Sequence, residues 1–581
     1  MKRRLPSHAP VPRALGLLLL IAVVWCDSHA KSPEGIHADV VLSNGRIYTA
    51  NPAQPWAQAI AIRGERILAV GEEQEIRSFR GPETTVIDLA GRMAMPGIID
   101  SHIHFLDGSL ALDQLSLDDA YTVSEIQRRV REFAVAHPER PWLLGRGWLY
   151  DAFKPSGLPT KRVLDEIVPD RPVVMECYDG HSIWVNSKAL ALAGIDKNTP
   201  DPKQGGVTVG IIVRDPATGE ATGVLKEDAV EIVRRVIPQP SRDEKLRAIR
   251  NGLQEANRHG LTSVVNASGS IEEMELYDEL RKKGELTVRM TTALMMQPTL
   301  SESTLSMYEE GRRRFQNEWV RGGVIKAFMD GVVESHTAAM LEPYSDDPQL
   351  SGSLNYTPSQ FRDNVVELDR RRFQVITHAI GDRAIRTALD AYQAAGQING
   401  PRDRRFRIEH IETINPEDVP RFGLLGVIAS MQPYHCYPEP NLFNVWARNI
   451  GPQRLPYSFA WHDLAAAGAK LAFGSDWPVV SLDPFIGIQN AVTRQDQDGR
   501  PPEGFVSAQK VTLDQALAAY TRDGAFAEFQ EGEKGTLEPG KLADLIVLSQ
   551  DLFAVRPIEI GKTHVVLTIV GGKIVHREEG L

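Results

Sequence analysis

Eight short apolar segments recur through the middle of the chain, and their spacing constrains the fold more than any other feature. They are "MAMPGIIDSHIHF" (residues 93–105), "LTSVVNAS" (261–268), "TVRMTTALMM" (287–296), "VIKAFMDG" (324–331), "FQVITHAIG" (373–381), "RFRIEHIE" (405–412), "GVIASMQPYH" (426–435) and "KLAFGSDWPV" (470–479). Each has the length of a buried strand, and several are separated by helical stretches such as Thr357 to Arg370 and Asp382 to Ala395. The first of these helices opens on Thr357 and Pro358, a cap residue followed by a proline whose missing N–H costs nothing in the first turn. Strand–helix alternation is the mark of parallel βα units. Eight of them imply an α/β fold, a (β/α)8 TIM barrel, in which functional groups collect at the carboxyl ends of the strands.

At 581 residues the chain is too long for one core. Both ends are rich in strand–turn–strand patterns, "ADVVLSNGRIYTA" with Asn44-Gly45 near the start and "HVVLTIVGGKIVHRE" with Gly571-Gly572 near the end. Residues 38–92 and 530–581 are therefore expected to meet in one small β-sandwich domain, with the barrel over 93–529. The stretch from about 106 to 240 exceeds any single βα connection and carries its own apolar pieces, "PWLLGRGWLY" and "RPVVMECYDGHSIWVNS". It reads as an insertion over the barrel mouth, placed to shape a substrate pocket.

Residues 1–30 differ from the rest. Lys2, Arg3, Arg4 and Arg13 precede the apolar run Ala14 to Trp25, and Ser28 and Ala30 supply small residues for cleavage. That is the layout of a secretory signal peptide, and it implies export to the periplasm or beyond. An N-terminal anchor and a lipoprotein processed at Cys26 stay open as alternatives. Losing these residues removes four cations and one anion, taking the formal charge from −11 to −14. An acidic exported chain is a poor nucleic-acid binder. No later stretch is apolar enough for a stable membrane span. Cys177 and Cys436 are too few for a disulfide framework, and their pairing is not legible.

In "IIDSHIHF", His102 and His104 are two apart on a strand and face the same side. Two such histidines are most simply ordinary hydrogen-bonded residues. His378, His410 and Asp476, however, close the fifth, sixth and eighth segments, at the ends that open into a barrel's active site. Imidazole and carboxylate together suit zinc and similar divalent ions. Lys326, in the middle of "VIKAFMDG", shares a strand face with Phe328 and Asp330. Burial lowers a lysine pKa by up to about 3–5 units, which leaves neutral amine able to add carbon dioxide and form a carbamate. The ordinary alternative is a lysine that reaches water along its stem or pairs with an acid.

These residues carry a resemblance. The blocks "PGIIDSHIHF", "DGHSIWVNSKAL", "RDPATGEATGVLKEDA", "IKAFMDG", "THAIGDRAI", "RIEHIE", "FGSDWPV" and "KGTLEPGKLADLIVL" resemble, in order, those of the amidohydrolase superfamily. The likeness is to its amidohydrolase 3 (YtcJ-like) branch, which includes N-substituted formamide deformylases, and it spans about Ala38 to His576. It implies a barrel with a terminal β-sandwich and a centre of two divalent metal ions, zinc by preference. His102, His104 and Asp476 would hold the more buried ion, His378 and His410 the more exposed one, and Lys326, N6-carboxylated by carbon dioxide, would bridge them. A shared hydroxide would attack a non-peptide C–N bond of an amide or formamide, because a metal lowers the pKa of its bound water from 15.7 to about 7. Asp476 would serve as general base and then acid.

Substrate contacts are less constrained. His181 in "DGHSIWVNS" either stabilises the oxyanion or caps a turn. Trp148, Tyr434 and Trp477 are candidates to line an apolar pocket, as against plain packing. Asp382 is either a substrate contact or the start of its helix. Glu227 lies in a family-like block with no role that the sequence supplies. The expected partner is a small-molecule substrate, with a homodimer also compatible. Esterase, lactonase or phosphotriester chemistry is an alternative for the same centre. A mononuclear deaminase would want a glutamate soon after His378, where "HAIGDRA" offers only Asp382. A secreted binding protein on a retired scaffold would have lost ligands that are all present here.

Overall fold

The computed structural model describes residues 35–155, 157–204 and 207–580. The leader expected at 1–30, with Cys26, lies outside them. Eight parallel strands form the central sheet: β1 (Ile98–Ile103), β2 (Leu261–Gly269), β3 (Arg289–Met295), β4 (Val320–Phe328), β5 (Gln374–Ala379), β6 (Arg407–His410), β7 (Ile428–Met431) and β8 (Leu471–Phe473). They run in sequence order around the sheet, and each overlaps one of the eight apolar segments, β4 starting four residues before its segment. The seam between β8 and β1 is closed just beyond the strand ends. There Asp476 N donates to His102 O (2.7 Å) and His104 N donates to Trp477 O (2.8 Å). Closure thus sets the histidine pair of β1 directly against the aspartate after β8.

Helices cover the barrel where the sequence places them. Pro358–Arg370 is capped by the Thr357 side chain, which accepts from Gln360 N, and Asp382–Asn399 follows β5. Arg242–Arg258 begins in a capping box between Ser241 and Glu244 and leads into β2. It lies against the short helix Phe105–Ala111, closely enough that a Cβ on Gly252 would sit 2.0 Å from Ser109 Oγ. The helix Phe105–Ala111 is therefore part of the barrel layer, and the inserted strands begin later than 106.

Those strands form a six-stranded sheet edged by Leu115–Ser116 and Gly210–Arg214. Alternate residues enter separate apolar clusters, Met175 and Trp184 with Leu117 in one, Val174, Ile183 and Val185 with Leu225 in the other. This is the period-two pattern of a sheet covered on both faces. A second region, built from both chain ends, has a four-stranded and a six-stranded sheet that share a core of Leu42, Ile47, Ile60, Leu545 and Leu567. Strand Met93–Pro96 pairs with Leu545–Leu548 in this region rather than with the barrel, so β1 starts at Ile98, a few residues later than the pattern suggests. The chain crosses between the two at Gly97, where a Cβ would lie 2.1 Å from Thr262 Cγ2. A buried bidentate pair, Arg289 Nε and Nη2 to Asp544, ties β3 to the terminal sheets. Among the described residues no helix is long and apolar enough to cross a membrane.

Candidate metal centre

The carboxyl ends of β1, β4, β5, β6 and β8 bring His102, His104, Lys326, His378, His410 and Asp476 to one place. His104 Nε2 lies 3.0 Å and His102 Nε2 3.5 Å from Asp476 Oδ1. Lys326 Nζ lies 3.2 Å from His102 Nε2. The His102 and His410 rings are 4.8 Å apart by centroid, and His378 and His410 4.6 Å. Two groupings keep their ligand atoms within 4.8 Å of one another: His102, His104 and Asp476, and His410, His435 and Asp476. The second grouping contains His435 where the resemblance implies His378. His435 Nε2 lies 3.6 Å from Asp476 Oδ2, and His378 stays beside the group.

Each histidine from a strand end has one ring nitrogen engaged behind it. His102 Nδ1 meets Glu409 Oε2 (2.5 Å), His104 Nδ1 meets Ser268 Oγ (2.6 Å), His410 Nδ1 meets Gln432 Oε1 (2.8 Å) and His378 Nε2 meets Gly331 O (3.1 Å). The other nitrogen is left as an acceptor, as in metal sites whose outer partners fix the tautomer of the ligand. Two buried atoms at the centre, Asp476 Oδ1 and His435 Nε2, have no hydrogen-bond partner. A cation held by His102, His104 and Asp476 would satisfy the first and one held by His410, His435 and Asp476 the second, so the donor set fits divalent metal.

Charge at the site follows from burial. Burial, reinforced by Lys326, pushes His102 down to about 4. Burial also holds His378 and His410 well below the ordinary imidazole value. All three are therefore neutral donors at pH 7. Burial on its own would raise Asp476, but the imidazoles of His102, His104 and His410 hold it well below the usual carboxylate range. For Lys326 burial wins over Glu409 and Asp476 and pushes the amine down to about 8. Glu409 is the reverse case: burial opposes its charge, yet Arg407 and then His102 hold it at about 2. The backbone at the centre is strained, since His410 (φ 75°) and Asp476 (φ 62°) occupy the left-handed region. Such residues cost about 1–3 kcal/mol each and persist where their surroundings over-determine them. Around Asp476 that support is Asp100, which accepts from Ser475 N (3.0 Å), Ser475 Oγ (2.5 Å) and His102 N (3.1 Å).

A cavity of about 450 Å³ opens onto this centre and is lined by His181, Tyr434 and Trp477 as well as by His378, His410, His435 and Asp476. His181 Nδ1 binds Glu227 Oε2 at 2.8 Å, and Glu227 accepts from Thr337 Oγ1 as well. Burial would depress His181, but Glu227 outweighs it and raises the imidazole to about 9. Glu227 thereby acquires a role, holding His181 charged. Two expected substrate contacts are corrected. Trp148 is fully buried inside the insertion, packed on Tyr150 and Phe153 with its N–H donated to Met175 O, and it does not line the cavity. Asp382 starts its helix, accepts from Leu341 N (2.7 Å) and is also absent from the cavity wall.

Several groups at the centre carry no sequence signal of their own. His435 sits in a single helical turn after β7, and Glu409 and Arg407 are hidden in the alternation of "RFRIEHIE". The chain matches the amidohydrolase family over residues 85–576. It belongs to that family. It is 34% identical over 557 residues to Protein LONG AFTER FAR-RED 3 of Arabidopsis thaliana, covering 93% of this chain and 92% of that one. It is 26% identical to the N-substituted formamide deformylase of Arthrobacter pascens, covering 93% and 99%. Among solved structures, an uncharacterized metal-dependent hydrolase from Pyrococcus horikoshii OT3 superposes with a TM-score of 0.70 at 25% identity, over 89% of this chain and 99% of that one. Both barrel and family are those of metal-dependent hydrolases acting on small molecules.

Proposed function

We propose that this amidohydrolase cleaves a non-peptide C–N bond, an amide or formamide, with His102, His104 and Asp476 holding one divalent ion and His410, His435 and Asp476, flanked by His378, a second. The observation that carries the reading is the pair His102 and His104, each with Nδ1 fixed from behind and Nε2 turned to the unpaired Oδ1 of Asp476. The formamide reading draws on the deformylase relative, whose whole length this chain nearly spans. Zinc suits the nitrogen and oxygen donors, and when bound such ions supply an acidified water and a Lewis acid for the substrate carbonyl.

The protein's own groups account for the rest. The neutral fraction of the Lys326 amine would add carbon dioxide, forming an N–C bond and releasing one proton, and the resulting carbamate would supply an anionic oxygen ligand beside His102. Asp476 accepts a proton at Oδ1 from the attacking water and returns it to the departing nitrogen, so that the C–N bond breaks to a neutral amine. The His181 imidazolium, kept charged by Glu227, donates Nε2–H toward the oxygen on which negative charge develops. Asp476→Asn removes the proton acceptor; amine release from a formamide panel is expected to fall at least about a hundredfold. Wild-type turnover in that variant would assign proton transfer elsewhere.

A further inference from the structure

The cavity wall around the metal centre is acidic beyond the needs of the ligands. Besides Asp476 it presents six carboxylates: Asp118, Asp179, Glu255, Glu334, Glu412 and Glu439. Asp118 has Arg146 at 3.6 Å, and Glu255 has Arg258 and His259. Glu412 accepts from Trp446 Nε1 at 2.6 Å and has His435 at 3.5 Å. Among the described residues Asp179, Glu334 and Glu439 form no ion pair. Of the basic groups on the wall outside the metal centre, Arg146 is engaged with Asp118 and the Tyr178 carbonyl, His181 with Glu227 and His259 with Glu255.

An independent observation sits in the same place. Tyr178 donates its hydroxyl to Glu334 and accepts from Asn441 Nδ2 at 2.9 Å. That commits the nitrogen of Asn441 and leaves its Oδ1, in a side chain only 2% exposed, without a donor. Burial, with Glu412 and Asp179 nearby, pushes the Glu334 carboxyl up to about 8, the response of an acid that lacks a cation. Tyr178, Tyr434 and Tyr437 add aromatic rings to the wall, surfaces that attract ammonium groups. A carboxylate, an amide oxygen and aromatic rings without a cation make a receptor for an N–H-rich positive group.

We infer that the substrate carries a protonated amine that docks between Glu334, Asn441 and Tyr178, making it the mono-acyl derivative of a diamine or similar polyamine. This rests on the proposed amide hydrolysis. Water adds its oxygen to the acyl carbon, the C–N bond breaks, and the nitrogen leaves with a proton as the second amine of a free diamine. Asp476, His435 and Glu412 form a continuous series of contacts, and the Glu412 charge acts on Glu334, so the series leads from the scissile bond toward the docking site.

The test uses zinc-loaded full-length protein and three formamides of matched length: mono-N-formylpentanediamine (cationic), N-formylhexylamine (neutral) and N-formylaminohexanoate (anionic). The expected kcat/KM is at least about tenfold higher for the cationic than for the neutral member, a difference of about 1.4 kcal/mol. Glu334→Gln is expected to bring that ratio close to one, and Asn441→Asp, which adds a charge at the same spot, to widen it. Calorimetry with free pentanediamine runs in parallel and does not depend on turnover. Diamine binding that Glu334→Gln abolishes, without hydrolysis of any formamide, supports the docking site and refutes the amide reading. Hydrolysis with a ratio at or below one overturns the inference and leaves the amide reading intact. A preference for the anionic member overturns it in favour of Arg146 as the anchor, and the absence of both turnover and binding refutes both.

Discussion

Replacing Glu409 with Gln tests whether a charge behind the metal centre holds it in order. Glu409 is fully buried; its Oε2 meets His102 Nδ1 at 2.5 Å, and Arg407 donates to Oε1 (2.8 Å) and Oε2 (3.0 Å). The amide cannot neutralise Arg407, and if it turns its NH₂ toward His102 it forces the proton onto Nε2, the atom needed for the metal. The carboxyl is held at about 2 against an ordinary 4.5, which corresponds to about 3 kcal/mol of stabilisation. Breaking a buried pair by removing one partner costs a similar amount, about 3–5 kcal/mol. Because the folded-state value is depressed, this contribution is complete above about 4.5 and fades as the pH drops toward about 2. At pH 7 Glu409→Gln should therefore lower the thermal midpoint of metal-free protein, and the wild-type advantage should shrink below pH 4.5. Loss of an outer partner of a ligating histidine typically weakens metal binding about 10–100-fold. Competition against a chromophoric chelator measures this directly. A variant with the wild-type zinc affinity and melting temperature would refute the idea that Glu409 orients His102.

Lys326→Ala should abolish hydrolysis and lower the zinc content measured by elemental analysis; full activity with two ions bound would dismiss the carbamate. In carbon-dioxide-free buffer, metal-free wild type should gain stability as pH rises from about 8 toward 10.5, because over that range the unfolded lysine still binds a proton that the buried one has released. The Lys326→Met variant should lose that slope, and a retained slope would place the titration elsewhere. His435→Gln should cut bound metal from two ions per chain toward one, while an unchanged count would return that role to His378.

The fold was legible because strand burial imposes a coarse pattern: each of the eight apolar segments overlaps one barrel strand, and His102 and His104 share a face as their spacing requires. What escaped the sequence lies where contacts join distant parts of the chain. Glu409 reaches His102 across 307 residues, and Glu227 reaches His181 from a neighbouring strand of the insertion. His435 follows a strand by a single helical turn, so its direction depends on how that turn packs. Trp148 points into a core of the insertion that only the six-stranded sheet defines. Strand Met93–Pro96 is apolar enough for a barrel yet pairs with the chain's other end, because pairing partners and not composition decide the sheet to which a strand belongs.

The central claim, metal-dependent cleavage of a C–N bond, is tested most directly by stripping the protein with a chelator, restoring zinc in counted equivalents under bicarbonate, and measuring amine release from formamides beside matched esters and lactones. The account predicts no amine release from stripped protein and a return of activity that saturates near two zinc ions per chain. Activity that persists without metal, or restored protein that opens esters and lactones and leaves every formamide intact, would contradict it.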